Sequence, residues 1–174
     1  MRRVYHKENA VQYSKNRQKS SHFVTTPKIR HTAVMKTLTL DAFNKKMTAL
    51  LRLPTLVPYL SQDVLDNGMQ TRGNDQIRTV GFAVSANLET FRRAKAKHCD
   101  ALVVHHGLVL PKTRLDSITY NRLAYLIQNN LSLWSAHFLL DAHPKLGNNV
   151  QILKAIGAKP TTPYAFHDEA PWGW

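Results

Sequence analysis

Cysteine is almost missing. Cys99 is the single thiol in 174 residues, which excludes an intramolecular disulfide framework. A lone cysteine in apolar surroundings is most often a small buried hydrophobe. Cys99 therefore reads as structural, and the expected setting is a reducing one, the cytoplasm. Long apolar runs are missing too; none approaches the ~18 residues that a membrane helix needs. Acids are scarce, 11 against 24 Lys and Arg, for a formal net charge of +13. Such an excess usually points to nucleic acid or an anionic surface. Its location weakens that reading: residues 1–34 hold eight of the basic residues and a single acid, Glu8. The sequence has no P-loop, no G-x-G-x-x-G after its first apolar strand and no G-x-S-x-G. Phosphate cradles of those kinds and a nucleophile elbow are thus unsupported. What remains, at 43% hydrophobic and 20% charged residues, is the composition of an ordinary globular domain with room for a tail.

Residues 1–34 show no apolar period and no secretory core, and they are rich in Lys, Arg, Ser, Asn and Gln. They are expected to form a disordered basic tail, with a nucleic-acid arm or an organelle transit peptide as alternatives. Met35 stands just before the first periodic segment and could be an original start. From residue 36 the pattern changes. Leu40, Phe43, Met47, Leu50 and Leu51 follow helical spacing behind Thr39, a suitable N-cap. Pro54 and Pro58 close that helix and open a loop that runs through Asp66 to Gly73. Residues 77–84 read as a strand, and Asn87 caps a helix bearing Leu88, Phe91 and Ala94. Residues 101–104 read as a second strand. Ser117 caps a helix bearing Tyr120, Leu123 and Ile127, and residues 131–136 read as a third strand. Asn149 caps a last helix that stops at Gly157. The expected fold class is α/β: a β-α-β-α-β-α alternation that forms a parallel sheet with helices on both faces.

Ligands of open parallel sheets bind beyond the carboxyl ends of the strands. The second strand runs into His105-His106-Gly107, and the third into His137, Asp141 and His143. Four of the six histidines outside the tail therefore fall at two strand ends. Neighbouring residues of a strand face opposite sides, so His105 and His106 share a site only where the strand has ended, and Gly107 permits an unusual backbone there. Imidazole suits zinc, iron, nickel and manganese, and a bridging Asp141 could hold two ions. His137 reads as a residue that orients a neighbouring ligand or loop, and His143 as part of a turn. Trp134, Trp172 and Trp174 read as core or interface.

Three blocks in order, Asp66-Asn67-Gly68-Met69-Gln70 with Gly73, Asp100 to Gly107, and Ser135 to Asn149, resemble the Nif-three-like family, often labelled GTP cyclohydrolase I type 2 homologues. The resemblance covers 38–174. It implies an α/β fold of two similar halves around a dinuclear metal cleft, toroidal homohexamers, and a metal-dependent hydrolase acting on a small molecule. The ligands it implies are His105, His106 and Asp141, with His137 supporting them and Asp66 and Asn67 lining the cleft. The family set is completed by an H-x-x-x-E motif that does not follow Asn149 in this sequence. Compact members run to about 250 residues, high in the usual domain range, so residues 36–174 are expected to form the first half of that fold, as a shortened relative. An exposed apolar face is then expected, formed by Tyr164 to Trp174 and the loop from Asp66 to Gly73. The alternative functions are a non-enzymatic assembly or regulatory protein that keeps the fold, and nucleic-acid binding through the basic tail.

Overall fold

The computed structural model describes residues 37–52, 63, 67–109, 114–167 and 170–174. The expectations for residues 1–34, for Met35, for Pro54 and Pro58 and for Asp66 lie outside them. The first elements are a two-residue strand, β1 (Leu38–Thr39), and a helix, α1 (Leu40–Leu50). Thr39 caps α1 as its type predicts: its hydroxyl accepts the Ala42 N–H at 3.1 Å. Then follow β2 (Gly68–Thr71), β3 (Gln76–Ile77), β4 (Val80–Ser85), α2 (Leu88–Ala96) and β5 (Ala101–His106). The remaining elements are α3 (Ser117–Gln128), β6 (Ser132–Ser135), α4 (Phe138–Asp141), α5 (Asn148–Ala155), β7 (Tyr164–His167) and β8 (Ala170–Gly173). The main sheet has the order β2-β6-β5-β4. Strands β4, β5 and β6 are parallel, as the α/β alternation predicts, whereas β2 joins β6 antiparallel. The pairs β1/β3 and β7/β8 form separate antiparallel ribbons.

Strand β2 lies in the segment expected to be loop. Only Met69 of its four residues is strongly apolar, so no alternation betrays it. Side chains secure it instead: Thr71 Oγ1 donates to Leu131 O at 3.2 Å and accepts the Leu133 N–H at 3.0 Å. The strand expected over 77–84 is split into β3 and β4 by Asp100. One carboxylate oxygen of Asp100 accepts the N–H groups of Arg78 and Thr79 at 2.8 and 3.0 Å, which takes those two residues out of any ladder. Asn87 caps α2 by accepting the Thr90 N–H at 2.9 Å. Helix α3 is capped by Asp116, one residue before the expected Ser117. The Asp116 carboxylate accepts both the N–H and the hydroxyl of Thr119, and a full negative charge suits a helix N-terminus better than a hydroxyl. Helix α5 starts at Asn148 after Gly147 rather than being capped by Asn149. Gly157, with φ +77°, stops it, a conformation that glycine adopts without strain.

The inner strands alternate between two cores, as a sheet buried on both faces requires. Ala101, Val103, Trp134 and Ala136 face Leu40 and Phe43 of the first helix. Leu102, Val104 and Leu133 face Phe91 of α2 and Leu126 of α3. Cys99 is buried in the second core, where burial, then Asp100, pushes its thiol pKa up; it is structural, as expected. Among the described residues no helix is long and apolar enough to cross a membrane.

Asp100 supports a prediction. Burial acts to raise its carboxyl pKa, but the N–H groups of Arg78 and Thr79 and the side chain of Asn74 outweigh burial and hold it below its ordinary value. A depressed folded pKa contributes stability above the unfolded value, and that stability is lost as pH falls through the folded one. Asp100→Ala is therefore expected to cost about 1–3 kcal/mol at neutral pH. It should also flatten the decline in melting temperature below about pH 4, near the ordinary carboxylate pKa. Calorimetry across that range checks both; an unchanged acid limb would show that the two amide bonds carry no charge-dependent stability.

Candidate metal centre

Strand β5 pairs with β4 as far as His106 but with β6 only as far as Val104. Its last two residues thus lose one neighbour and project at the carboxyl edge of the sheet. The strand does not end before them, contrary to the condition expected for a shared site, yet the two rings meet, with centroids 4.6 Å apart. Gly107 follows with no left-handed φ; its role is close approach. A Cβ there would collide with Ser135 Oγ and Gln70 Oε1. Gln70 sits so near because its amide clamps Leu108, donating to the carbonyl and accepting from the N–H, both at 2.8 Å.

His137, at the end of β6, brings a third imidazole, with its centroid 4.9 Å from that of His105 and 5.6 Å from that of His106. One ligand atom from each of His105, His106 and His137 lies within 4.8 Å of the others. The expectation placed His137 behind the ligands; the structure sets it beside them. Asp141, on the single turn of α4, brings its Oδ2 to 3.6 Å from His105 Nε2, while its Oδ1 accepts from Asn148 Nδ2. It thus joins one edge of the cluster rather than its centre. His105 Nδ1 lies 2.9 Å from the Ala136 carbonyl, so that nitrogen donates and Nε2 keeps its lone pair for the site. His106 Nδ1 meets Ser85 Oγ at 3.2 Å. Burial, then His105 and His137, hold the His106 pKa below the ordinary imidazole value, against a smaller opposing pull from Asp141. The shift favours the neutral ring, the form that coordinates metal. Three clustered imidazoles with a carboxylate at one edge match the donor chemistry of zinc, iron, nickel or manganese.

His143 stays out. Its Nδ1 accepts the N–H groups of Lys145 and Leu146, and its Nε2 donates to Leu50 O at 3.0 Å. It ties the turn after α4 to the end of α1, in keeping with its reading as a turn residue. Trp134 is wholly buried, and Trp172 packs on Phe138, which stacks on His137. Beside His105 opens an apolar groove of about 280 Å³, lined in part by Leu50, Phe82, Val84, Leu140 and Leu146.

Two residues around His137 act beyond the sequence reading. Asn67, expected only to line the cleft, accepts the His137 N–H on its Oδ1 at 2.7 Å. Asp63 was not singled out at all, and it lies 2.7 Å from His137 Nδ1. The available signal was modest: Asp63 is one of two acids between the helix-closing Pro54 and Gly73. Asp66, the other, is the one that belongs to a motif.

A family model, Duf34/NIF3 (NGG1p interacting factor 3), matches residues 43–171. Proteins named GTP cyclohydrolase 1 type 2 homolog are similar in sequence. The one from Archaeoglobus fulgidus is 48% identical over 100 residues, which is 57% of this chain and 41% of that protein. The one from Pyrococcus abyssi is 37% identical over 103 residues, 59% of this chain and 41% of that protein. The chain thus spans less than half the length of these relatives. Among solved structures, TTHA1606 from Thermus thermophilus superposes with a TM-score of 0.66 at 34% identity, over 73% of this chain and 51% of that one. Protein ybgI superposes with a TM-score of 0.61 at 27% identity, over 69% of this chain and 47% of that one.

Proposed function

Since the chain belongs to the Duf34/NIF3 family, we propose that it is a divalent-metal protein of hydrolase type, with its metal centre at the carboxyl edge of the sheet. The observation that carries this reading is the convergence of three imidazoles from two strand ends. His105, His106 and Asp141 would hold the metal, with His137 beside them. A divalent ion in such a setting supplies Lewis-acid polarisation of a carbonyl or phosphoryl oxygen and acidifies water. The residues of the chain aim the donors: the Ala136 carbonyl orients His105, and Asn148 holds Asp141. The name carried by the relatives, extended to this chain, suggests a purine nucleotide as the small-molecule substrate and opening of its ring by water. The apolar groove beside His105 favours a second reading, an assembly or regulatory protein that keeps the fold, with ring-shaped homo-oligomers as the proposed assembly.

The test is metal retention. The full chain is loaded with zinc, nickel or manganese, desalted and measured by elemental analysis. Bound metal is expected in the wild type. His105→Ala and His106→Ala should each weaken retention by more than the ~10–100-fold that losing a supporting residue costs. A wild-type chain that retains no metal after loading would remove the proposal.

A further inference from the structure

The side chain of Asp63 is 1% exposed. A carboxylate that deeply buried is costly unless hydrogen bonds compensate it. Among the described residues, its bonds gather around His137. Its Oδ1 lies 2.7 Å from His137 Nδ1. Its Oδ2 accepts the N–H of Phe138 at 3.2 Å and the Nδ2–H of Asn67 at 2.7 Å. Asn67 in turn accepts the His137 N–H on its Oδ1 at 2.7 Å. Asp63 and Asn67 together therefore hold both the backbone and the ring of His137. Phe138 stacks on that ring with centroids 4.7 Å apart, and Trp172 packs on Phe138 at 4.6 Å.

We propose that Asp63 is the positioning residue that aims His137 at the histidine cluster, by fixing its imidazole in the tautomer that carries the proton on Nδ1. A carboxylate only accepts hydrogen bonds. The neutral ring must then place its one proton on Nδ1, which leaves the Nε2 lone pair for the cluster with His105 and His106. The ring orientation and basicity of a ligating histidine are commonly set by a carboxylate on its other nitrogen. The assignment rests on the metal reading of the site for its consequence, but the tautomer itself does not depend on metal.

Asp63→Asn is a near-isosteric probe because of the bonding on Oδ2. Two N–H donors, from Phe138 and Asn67, hold the oxygen of the new amide on their side. Its NH₂ group then faces His137 Nδ1, which must accept, and the ring proton moves to Nε2, the atom aimed at the cluster. The experiment has two arms on the full chain. In the first, ¹⁵N NMR of the metal-free protein at about pH 8, above the ordinary imidazole range, reads the His137 tautomer, with the signal assigned by its loss in His137→Ala. The Nδ1–H form is expected in the wild type and the Nε2–H form in Asp63→Asn. An Nε2–H form in the wild type overturns the proposal without any variant having to fold. In the second arm, cobalt(II) titration followed by zinc competition reads affinity and the visible spectrum. Asp63→Asn is expected to bind ~10–100-fold more weakly with an altered absorption band, and to have no further effect in a His137→Ala background. A wild-type affinity and spectrum in Asp63→Asn would overturn the proposal. Absence of cobalt binding by the wild type would instead remove the metal reading, while the tautomer arm still decides the role of Asp63.

Discussion

Trp134→Ala is expected to be the most destabilising single change in the sheet. Trp134 is completely buried on β6, within a cluster that includes Leu40, Phe43, Val103 and Leu139. Its indole N–H donates to Asn44 Oδ1 at 3.0 Å, tying the middle of the sheet to α1. Truncation removes the apolar surface of a large ring, leaves a cavity that close-packed neighbours fill only in part, and deprives Asn44 of its donor. Burial losses of this kind cost ~3–5 kcal/mol, a large part of the ~5–15 kcal/mol that holds a typical domain together. At ~2–4 °C per kcal/mol for a chain of this size, the melting temperature should fall by about 6–20 °C. Trp134→Phe, which keeps a six-membered ring but loses the fused pyrrole and its hydrogen bond, should recover part of that. If Trp134→Ala melts within about 2 °C of the wild type, below what a 3 kcal/mol loss allows, the two-faced sheet described above is wrong.

The second large effect is expected at the β4 edge of the sheet. Phe82 and Val84 on β4 are 76% and 63% exposed, although Val103, the register partner of Phe82, lies in the first core. Helix α1 packs over β2 and β3 and leaves this end of the face open. The six residues of β4, Val-Gly-Phe-Ala-Val-Ser, carry no charge. An uncharged, apolar edge strand is a template for association. Its location differs from the expectation: Tyr164 and Phe166 are exposed as anticipated, but the segment expected to form the loop after Asp66 is largely built into β2. Burying a Phe or Val side chain is worth ~1.5–3 kcal/mol. The wild type is thus expected to self-associate in solution in spite of its net charge of +13. The double variant Phe82→Lys with Val84→Lys should weaken that association by ~100-fold or more, taking 1.4 kcal/mol per tenfold. Light scattering across a concentration series reads the result. A wild-type chain that stays monomeric throughout would show that β4 is already protected.

The alternation of short apolar strands with capped amphipathic segments made the α/β class legible, because burial on both faces of a parallel sheet leaves a local trace. Thr39 and Asn87 were readable as caps for the same reason, since capping is a matter of a few adjacent residues. His105, His106 and Asp141 were legible as candidates because strand ends could be located. Strand β2 was not, as its pairing rests on Thr71 and on the backbone of β6 rather than on any pattern of its own.

Local sequence therefore determined the three parallel strands and the helices that cover them, and which residues arrive at the carboxyl edge. Tertiary structure decided what they meet there. Asp63 reaches His137 across 74 positions, Gln70 reaches Leu108 across 38, and Asp100 reaches back to Arg78 to break a strand that its own pattern continues. Periodicity reports which side of an element is buried, because each turn or pleat repeats the same choice. The partner of a single polar group repeats nothing; it is selected only when the folded chain brings two distant segments together and leaves a buried carboxylate with one imidazole to hold.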